Sequence, residues 1–313
     1  MASTIQLQRT INLAQQYLRL SPLTFTSLVS LAVDVGGTAY VVGDSVSILG
    51  GIGGKASVTG ISGGGSSGPV TGLTITSAGT GYATGGTGVT TTGGSGTGLT
   101  VNVTATNYDP ALSCADWVLQ TILAPPMAWP WNRVTASPTV PTFSTTIGVT
   151  DYKVNLPSLG WIEKGTGYDP NNGNCAFELL NELVIAGETL PNQPTRIAKL
   201  LEDGSGNITF RLFPPPDKVY NIVVEYQQSA SLFTSLTQTW GPVPDYLKYL
   251  YDEGFFAKAA EYSNDPRYMQ AMQMFLTDLA ANSEGLSETQ KNIWLESKLN
   301  AIRQTSAVQS GRR

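Results

Sequence analysis

Chemistry in this chain has to be done without histidine, because the sequence contains none. Ser-His-Asp and Cys-His nucleophilic catalysis are therefore unavailable, and so are imidazole metal sites. The two cysteines, Cys114 and Cys175, lack CxxC spacing. They cannot make a structural zinc site in one chain and are too few for a disulfide framework, so both are expected to be free and buried. Glu163 and Glu178 are the carboxylates a two-acid hydrolase would use, but they belong to no acidic cluster of recognisable spacing. No GxxxxGK[ST] loop is present, and the glycine runs do not join an apolar strand to a helix, as a dinucleotide site requires. No catalytic residue, cofactor or metal ligand is assigned, and the chain is not expected to be an enzyme.

The remaining candidates are contact residues. Trp129 and Trp131 flank Pro130 in MAWPWNR, close to Arg133. Two indoles beside a guanidinium can form a stacking or contact corner; more often such residues turn a corner of the core, which is the favoured reading. Tyr40 and Tyr82 occupy matching places in GGTAYVVGD (36–44) and AGTGYATGG (78–86), two copies of one unit. From Ser297 onward the charged residues are Lys298, Arg303, Arg312 and Arg313, with no acid among them. A basic end on an acidic protein suits an acidic or DNA-near partner.

These residues sit on segments of contrasting character. Residues 3–20 read as a helix, with capping-box spacing at Ser3 and Gln6 and an apolar face at Leu7, Ile11, Ala14 and Leu18. The pattern stops near Leu31 and resumes near Asn107. Between Val35 and Asn107 lie 22 of the 34 glycines and two charges, Asp44 and Lys55. Alternation of β-branched and small polar residues there predicts a small folded β-module, not a linker. Residues 109–124 predict a buried helix, with Asp109 as N-cap and Pro110 at the first helical position. Residues 142–227 predict five strands in an antiparallel sheet or small sandwich, with a hairpin turn at 202–207. Further helices are expected from Pro244 to Tyr262, from Asp265 to Glu284, and from a second capping box at Ser287 and Gln290 to about Arg303.

The fold class expected is α+β: a helical-bundle ring body with an antiparallel β-domain and an inserted Gly/Thr-rich β-module. The divisions are an N-terminal core helix (1–30), the insert (31–107), a core helix (108–134), the β-domain (135–230), C-terminal core helices (231–303) and an extended tail (304–313). A domain plus an insert fits 313 residues. Charged residues make up 13%, against roughly a quarter in ordinary domains, which suggests flanks buried against partners. A net charge of −5 gives no general attraction to nucleic acid or anionic membrane. No run approaches the roughly 18 apolar residues of a membrane span, and MASTIQLQRT has no signal-peptide character.

In this order, the helix at 110–123 running into Trp129–Arg133, the hairpin FRLFPPPDKVYNIVVEYQQ (210–228) and the helix pair VPDYLKYLYDEGFFAKAAEYSNDPRYMQAMQMF (243–275) resemble the head-to-tail adaptor proteins of tailed bacteriophages, particularly short-tailed ones. These are also called head-completion or connector proteins. The resemblance covers all but the insert, and the insert's GTGY unit itself resembles modules carried by phage structural proteins. It implies a dodecameric ring in the virion neck, made in the bacterial host cytoplasm. That ring would dock under the portal protein, lengthen the DNA channel used in genome packaging and ejection, and offer a platform to tail nozzle or tail-tube proteins. The partners implied are the portal, tail proteins and other copies of the chain, with DNA passing through the lumen without specific binding and no membrane. The portal-binding residues implied are Lys298, Arg303, Gln304, Gln309, Arg312 and Arg313. Monomers would fold alone and assemble on the portal. A tail-tube, decoration or receptor-binding protein is the alternative; in a glycan-binding reading, Tyr40, Tyr82, Trp129 and Trp131 would be the stacking platforms.

Overall fold

The computed structural model describes residues 3–20, 25–156, 158–182 and 190–310, with side chains for all of these except 172–175 and 303–310. Helix α1 spans Leu7–Leu18 and buries Leu7, Ile11, Ala14 and Leu18. The capping box expected at its start does not form. Gln6 is the N-cap without a side-chain cap bond, and Ser3 turns to a distant partner. Ser3 Oγ donates to Asp245 Oδ1 (2.7 Å), while Thr4 donates through N (3.0 Å) and Oγ1 (2.8 Å) to the same carboxylate. A charged acceptor offers more than a helix end that water can solvate.

Strands β1 (Ser27–Thr38), β2 (Ser45–Ile48), β3 (Lys55–Ile61), β4 (Val70–Ser77), β5 (Val89–Thr92) and β6 (Thr97–Asn107) form a six-stranded sheet ordered β1-β6-β5-β2-β3-β4. The pairing is antiparallel, and β4 returns beside β1, so the sheet wraps into a barrel-like unit. Exchanging β1 with β4, β2 with β5 and β3 with β6 gives the same order read from the other end. The unit is thus two copies of a three-stranded element about a pseudo-two-fold axis. The duplicated tyrosines pack reciprocally. Tyr40, in the first copy, covers Gly96 in the second, where a Cβ would stand 2.5 Å from the ring. Tyr82, in the second copy, covers Gly51 in the first at the same 2.5 Å. Tyr82 Oη also donates to Ile48 O (2.7 Å) and accepts from Gly54 N–H (3.2 Å). The two ends of the module meet where Ser27 pairs with Asn107, so it joins the rest of the chain at one point.

Helix α2 (Asp109–Leu123) follows, with Pro110 in its first turn and Tyr108, not Asp109, as N-cap. A second sheet holds β7 (Arg133–Val134), β8 (Phe143–Ser144), β9 (Asp151–Asn155), β10 (Leu159–Asp169), β11 (Asn172–Glu182), β12 (Arg196–Glu202), β13 (Asn207–Phe213) and β14 (Asn221–Gln228). Its order is β7-β14-β10-β11-β12-β13-β9, with β8 on β14. It is not wholly antiparallel, because β11 and β12 run parallel. The β10–β11 hairpin has no counterpart in the sequence reading, because Gly160, Gly165 and Gly167 make β10 look like a loop. Gly167 is covered by the Phe177 ring from β11, which leaves no room for a side chain. One of the five expected strands, NELVIAGETL at 181–190, falls mostly outside the described residues. The turn expected at 202–207 forms, with Asp203 Oδ1 accepting from Ser205 N (3.0 Å) and Asn207 N (3.2 Å).

Helices α3 (Lys248–Tyr262), α4 (Tyr268–Asn282) and α5 (Glu288–Ser310) complete the chain. Here the capping box is made: Ser287 N–H donates to Gln290 Oε1 (2.9 Å) and Gln290 N–H to Ser287 Oγ (3.3 Å). Helix α5 continues past Arg303, since no glycine or proline interrupts it before Gly311, so residues 304–310 are helical where an extended tail was expected. Helices α1 to α4 share one core, built around Trp129, Trp240, Tyr251, Phe255 and Phe275. Two other cores belong to the two sheets. The expected helical-bundle ring body is therefore corrected: among the described residues strand outweighs helix, 38% to 26%, and the strands form two barrel-like sheets. The helices stand out in the sequence because their 3.6-residue stripes are explicit, whereas short glycine-broken strands show little pattern.

Candidate functional site

Of the two carboxylates singled out for two-acid hydrolysis, Glu163 is held in an ion pair and Glu178 lies exposed. Glu163 lies at the β-bulge between Ile162 and Lys164 in the pairing of β10 with β14, and a bulge re-aims a side chain. It meets the Arg133 guanidinium in a two-pronged ion pair and accepts from Gln227 Nε2 (2.8 Å). Burial pushes its carboxyl up, but the hydrogen bonds from Arg133 and Gln227 outweigh this and hold it below the usual carboxylate range. Glu178 is exposed on β11, 3.7 Å from Lys164. Among the described residues no group of three or more His, Cys, Asp or Glu could hold a metal ion. Cys114 is buried, and burial pushes its thiol up to about 12, far from a reactive thiolate. The Cys175 side chain lies outside the described residues.

The Trp129–Trp131–Arg133 corner is a joint between the helices and the second sheet. The two indoles stack with centroids 5.4 Å apart. Trp129 is buried and its Nε1 donates to Ile122 O (2.7 Å). Gln227, fully buried on β14, accepts from Trp129 N (3.3 Å) and donates to Trp129 O (3.2 Å) and to Glu163. The corner therefore fastens the end of α2 to the sheet. Tyr40 and Tyr82 are each 1% exposed. With Trp129, three of the four proposed glycan platforms are thus core residues. Of the residues implied for portal binding, Lys298 lies on α5 with its ammonium over the Trp294 ring, 5.8 Å from the centroid. Arg303, Gln304 and Gln309 are on the last turns of α5, and their side chains lie outside the described residues, as do Arg312 and Arg313 altogether.

A site missed from sequence lies on the helical core. A groove of about 630 Å³ runs between α1, α3 and α4, lined by Tyr17, Tyr246, Tyr249, Phe256 and Met274, with Asp252 and Glu253 along it. Tyr246 is 71% exposed, Tyr17 67% and Met274 52%. Asp252 is paired with Lys248. Glu253 Oε2 is buried without a geometric partner; burial first, then a shared hydrogen bond with Asp278, pushes its carboxyl up to about 7. A bond between two carboxyl groups requires a proton on one of them. On the opposite face of α3 and α4 a second hollow of about 420 Å³ lies between α2 and α5, lined by Trp117, Lys258, Trp294 and Lys298. Lys258 stands 4.9 Å from the Trp117 ring centroid and pairs with Glu261 at 2.8 Å. The signal available in the sequence was tyrosines off the apolar stripe of their helices. No family model and no curated protein matches this chain.

Proposed function

We propose that the protein is a structural component of a bacteriophage neck, an adaptor that forms a ring between portal and tail and extends the DNA channel. The observation that carries this reading is α5. This 23-residue helix lies against α4, and Trp294, Leu295, Leu299 and Ile302 are only partly buried on the core. From Ser297 onward its charges are all basic. A helix covered on one side and cationic at its end suits insertion between subunits of a larger ring, where ordering and burial finish together. A module joined to the rest of the chain where Ser27 pairs with Asn107 fits a protein that assembles and displays.

The excess of strand over helix favours one second reading, a tail-tube or decoration protein of the same virion. Both readings meet one experiment. The mass of the purified chain is measured alone and after mixing with portal rings, for the full chain, for a truncation after Ile302, and for the full-length triple variant Arg303→Glu, Arg312→Glu, Arg313→Glu. An adaptor joins the portal in fixed stoichiometry and loses this in both variants. A chain that ignores the portal, or stacks into tubes unaided, is a tube or decoration protein.

A further inference from the structure

Helices α3 and α4 form a layer whose two faces differ in chemistry. Tyr249, Asp252, Glu253 and Phe256 recur at the three- and four-residue spacing of one α3 face, whereas Lys258 and Glu261 fall about half a turn away. On α4, Met274 faces the groove and Met272 and Leu276 face the second hollow. One face thus offers exposed tyrosines and a methionine with carboxyls among them. The other offers tryptophans overlaid by lysine ammoniums. Asp252 and Lys258 are compensated within their own faces. That leaves Glu253 and its neighbour Asp278 on the first, and on the second Lys298, which forms no ion pair among the described residues.

We propose that the tyrosine groove between α1, α3 and α4 seats a second copy of this chain, which presents its Trp117–Lys258–Trp294–Lys298 face. Three lines of argument select this occupant. The faces are complementary, with carboxyls and tyrosines on one and cations and indoles on the other. They lie on opposite sides of one helical layer, so a molecule cannot satisfy its own groove but can satisfy a neighbour's. Exposed tyrosine and methionine in a groove are the side chains that centre protein interfaces, and lone exposed carboxylates are not. A contact between two different faces is heterologous, and repeated contacts of that kind close into rings or run on as filaments. The inference deepens the ring reading above by naming the surfaces through which copies meet, and the contact can be tested without the portal.

The test is disulfide trapping in the full chain carrying Cys175→Ser. Gln270→Cys, exposed beside Met274, marks the groove and Gln120→Cys, exposed at the second hollow, the opposite face; Ser205→Cys, on the exposed turn before β13, is the collision control. Mixing the groove variant with the opposite-face variant at high protein concentration is expected to give a linked dimer containing one of each, well above the control. Each variant alone should stay at control level. Adding Tyr246→Arg, on an exposed side chain, should reduce the linked yield roughly tenfold, the loss of a central anchor, with thermal unfolding unchanged. Linkage of the groove variant to itself would mean a two-fold contact and overturn the proposal. So would control-level linkage in the mixture when both thiols react with a maleimide. Portal binding that persists alongside failed trapping would overturn these surfaces and leave the adaptor reading standing; trapping without portal binding would do the reverse.

Discussion

Replacing Gln227 by methionine, similar in shape but without hydrogen-bonding capacity, tests whether the corner is the joint that ties the helices to the sheet. Gln227 is fully buried and makes three bonds: from Trp129 N–H, to Trp129 O and to Glu163 Oε2. Trp129 O keeps a second donor, Asn132 N (3.0 Å), so its loss is small. The Trp129 N–H is left buried and unpaired, at about 1–3 kcal/mol, and a charge-assisted bond to Glu163 disappears, at about 1.5–3 kcal/mol. Methionine recovers part of this through apolar burial. The net destabilisation expected is about 2–4 kcal/mol, a large share of the roughly 5–15 kcal/mol of a folded domain. Guanidinium unfolding followed by tryptophan fluorescence measures it directly, since all six tryptophans lie outside residues 27–107 and the signal reports on the joined helices and sheet. Gln228→Met, at the half-buried next position, is the control and should stay within about 0.5 kcal/mol. A Gln227→Met loss below about 1 kcal/mol would refute the account of the joint.

Two further outcomes follow from the same geometry. Tyr82→Phe removes the buried hydroxyl that bridges Ile48 O and Gly54 N–H and should destabilise the barrel-like module by about 2 kcal/mol. Faster amide exchange at Gly54 with unchanged tryptophan fluorescence would show it, and unchanged exchange would count against the bridge. Glu253 holds its proton to higher pH in the folded chain than when unfolded, up to about 7 against 4.5, so its contribution is fully present below about pH 4.5 and is lost as pH rises through 7. Glu253→Gln should therefore be more stable than the parent by about 1–2 kcal/mol at pH 8, after discounting for partial exposure, and match it at pH 4. Denaturant melts at the two pH values measure this, and an equal difference at both would refute the titration.

What the sequence reveals depends on the distance over which the cause acts. The Ser287–Gln290 box closes within one helical turn and is legible; the Ser3–Gln6 box has the same letters and fails because Asp245, 242 positions away from Ser3, competes for the hydroxyl. Apolar stripes announce α1 to α4 because each is written in its own residues. Strand β10 is hidden because its glycines make sense only with Phe177 lying over them. The groove is hidden for a similar reason, since Tyr17 and Tyr246 belong to segments more than two hundred residues apart. The paired tyrosines of the module lay between these extremes: the repeat was visible, and its reciprocal packing on glycine was not.

That reciprocity has a consequence for how so glycine-rich a stretch holds a shape. Each half of the module supplies the ring that fills the other's gap, so neither half is complete on its own. In kinetic terms the module is a dimer whose subunits are tethered by the exposed segment 62–67, which keeps each at millimolar effective concentration around the other. Association that would be too weak between separate molecules becomes an intramolecular event with a small closure cost. A sequence poor in large apolar residues can then reach a fixed fold because the tether supplies what its interior lacks, and a cut in that segment would turn a concentration-independent fold into a concentration-dependent one.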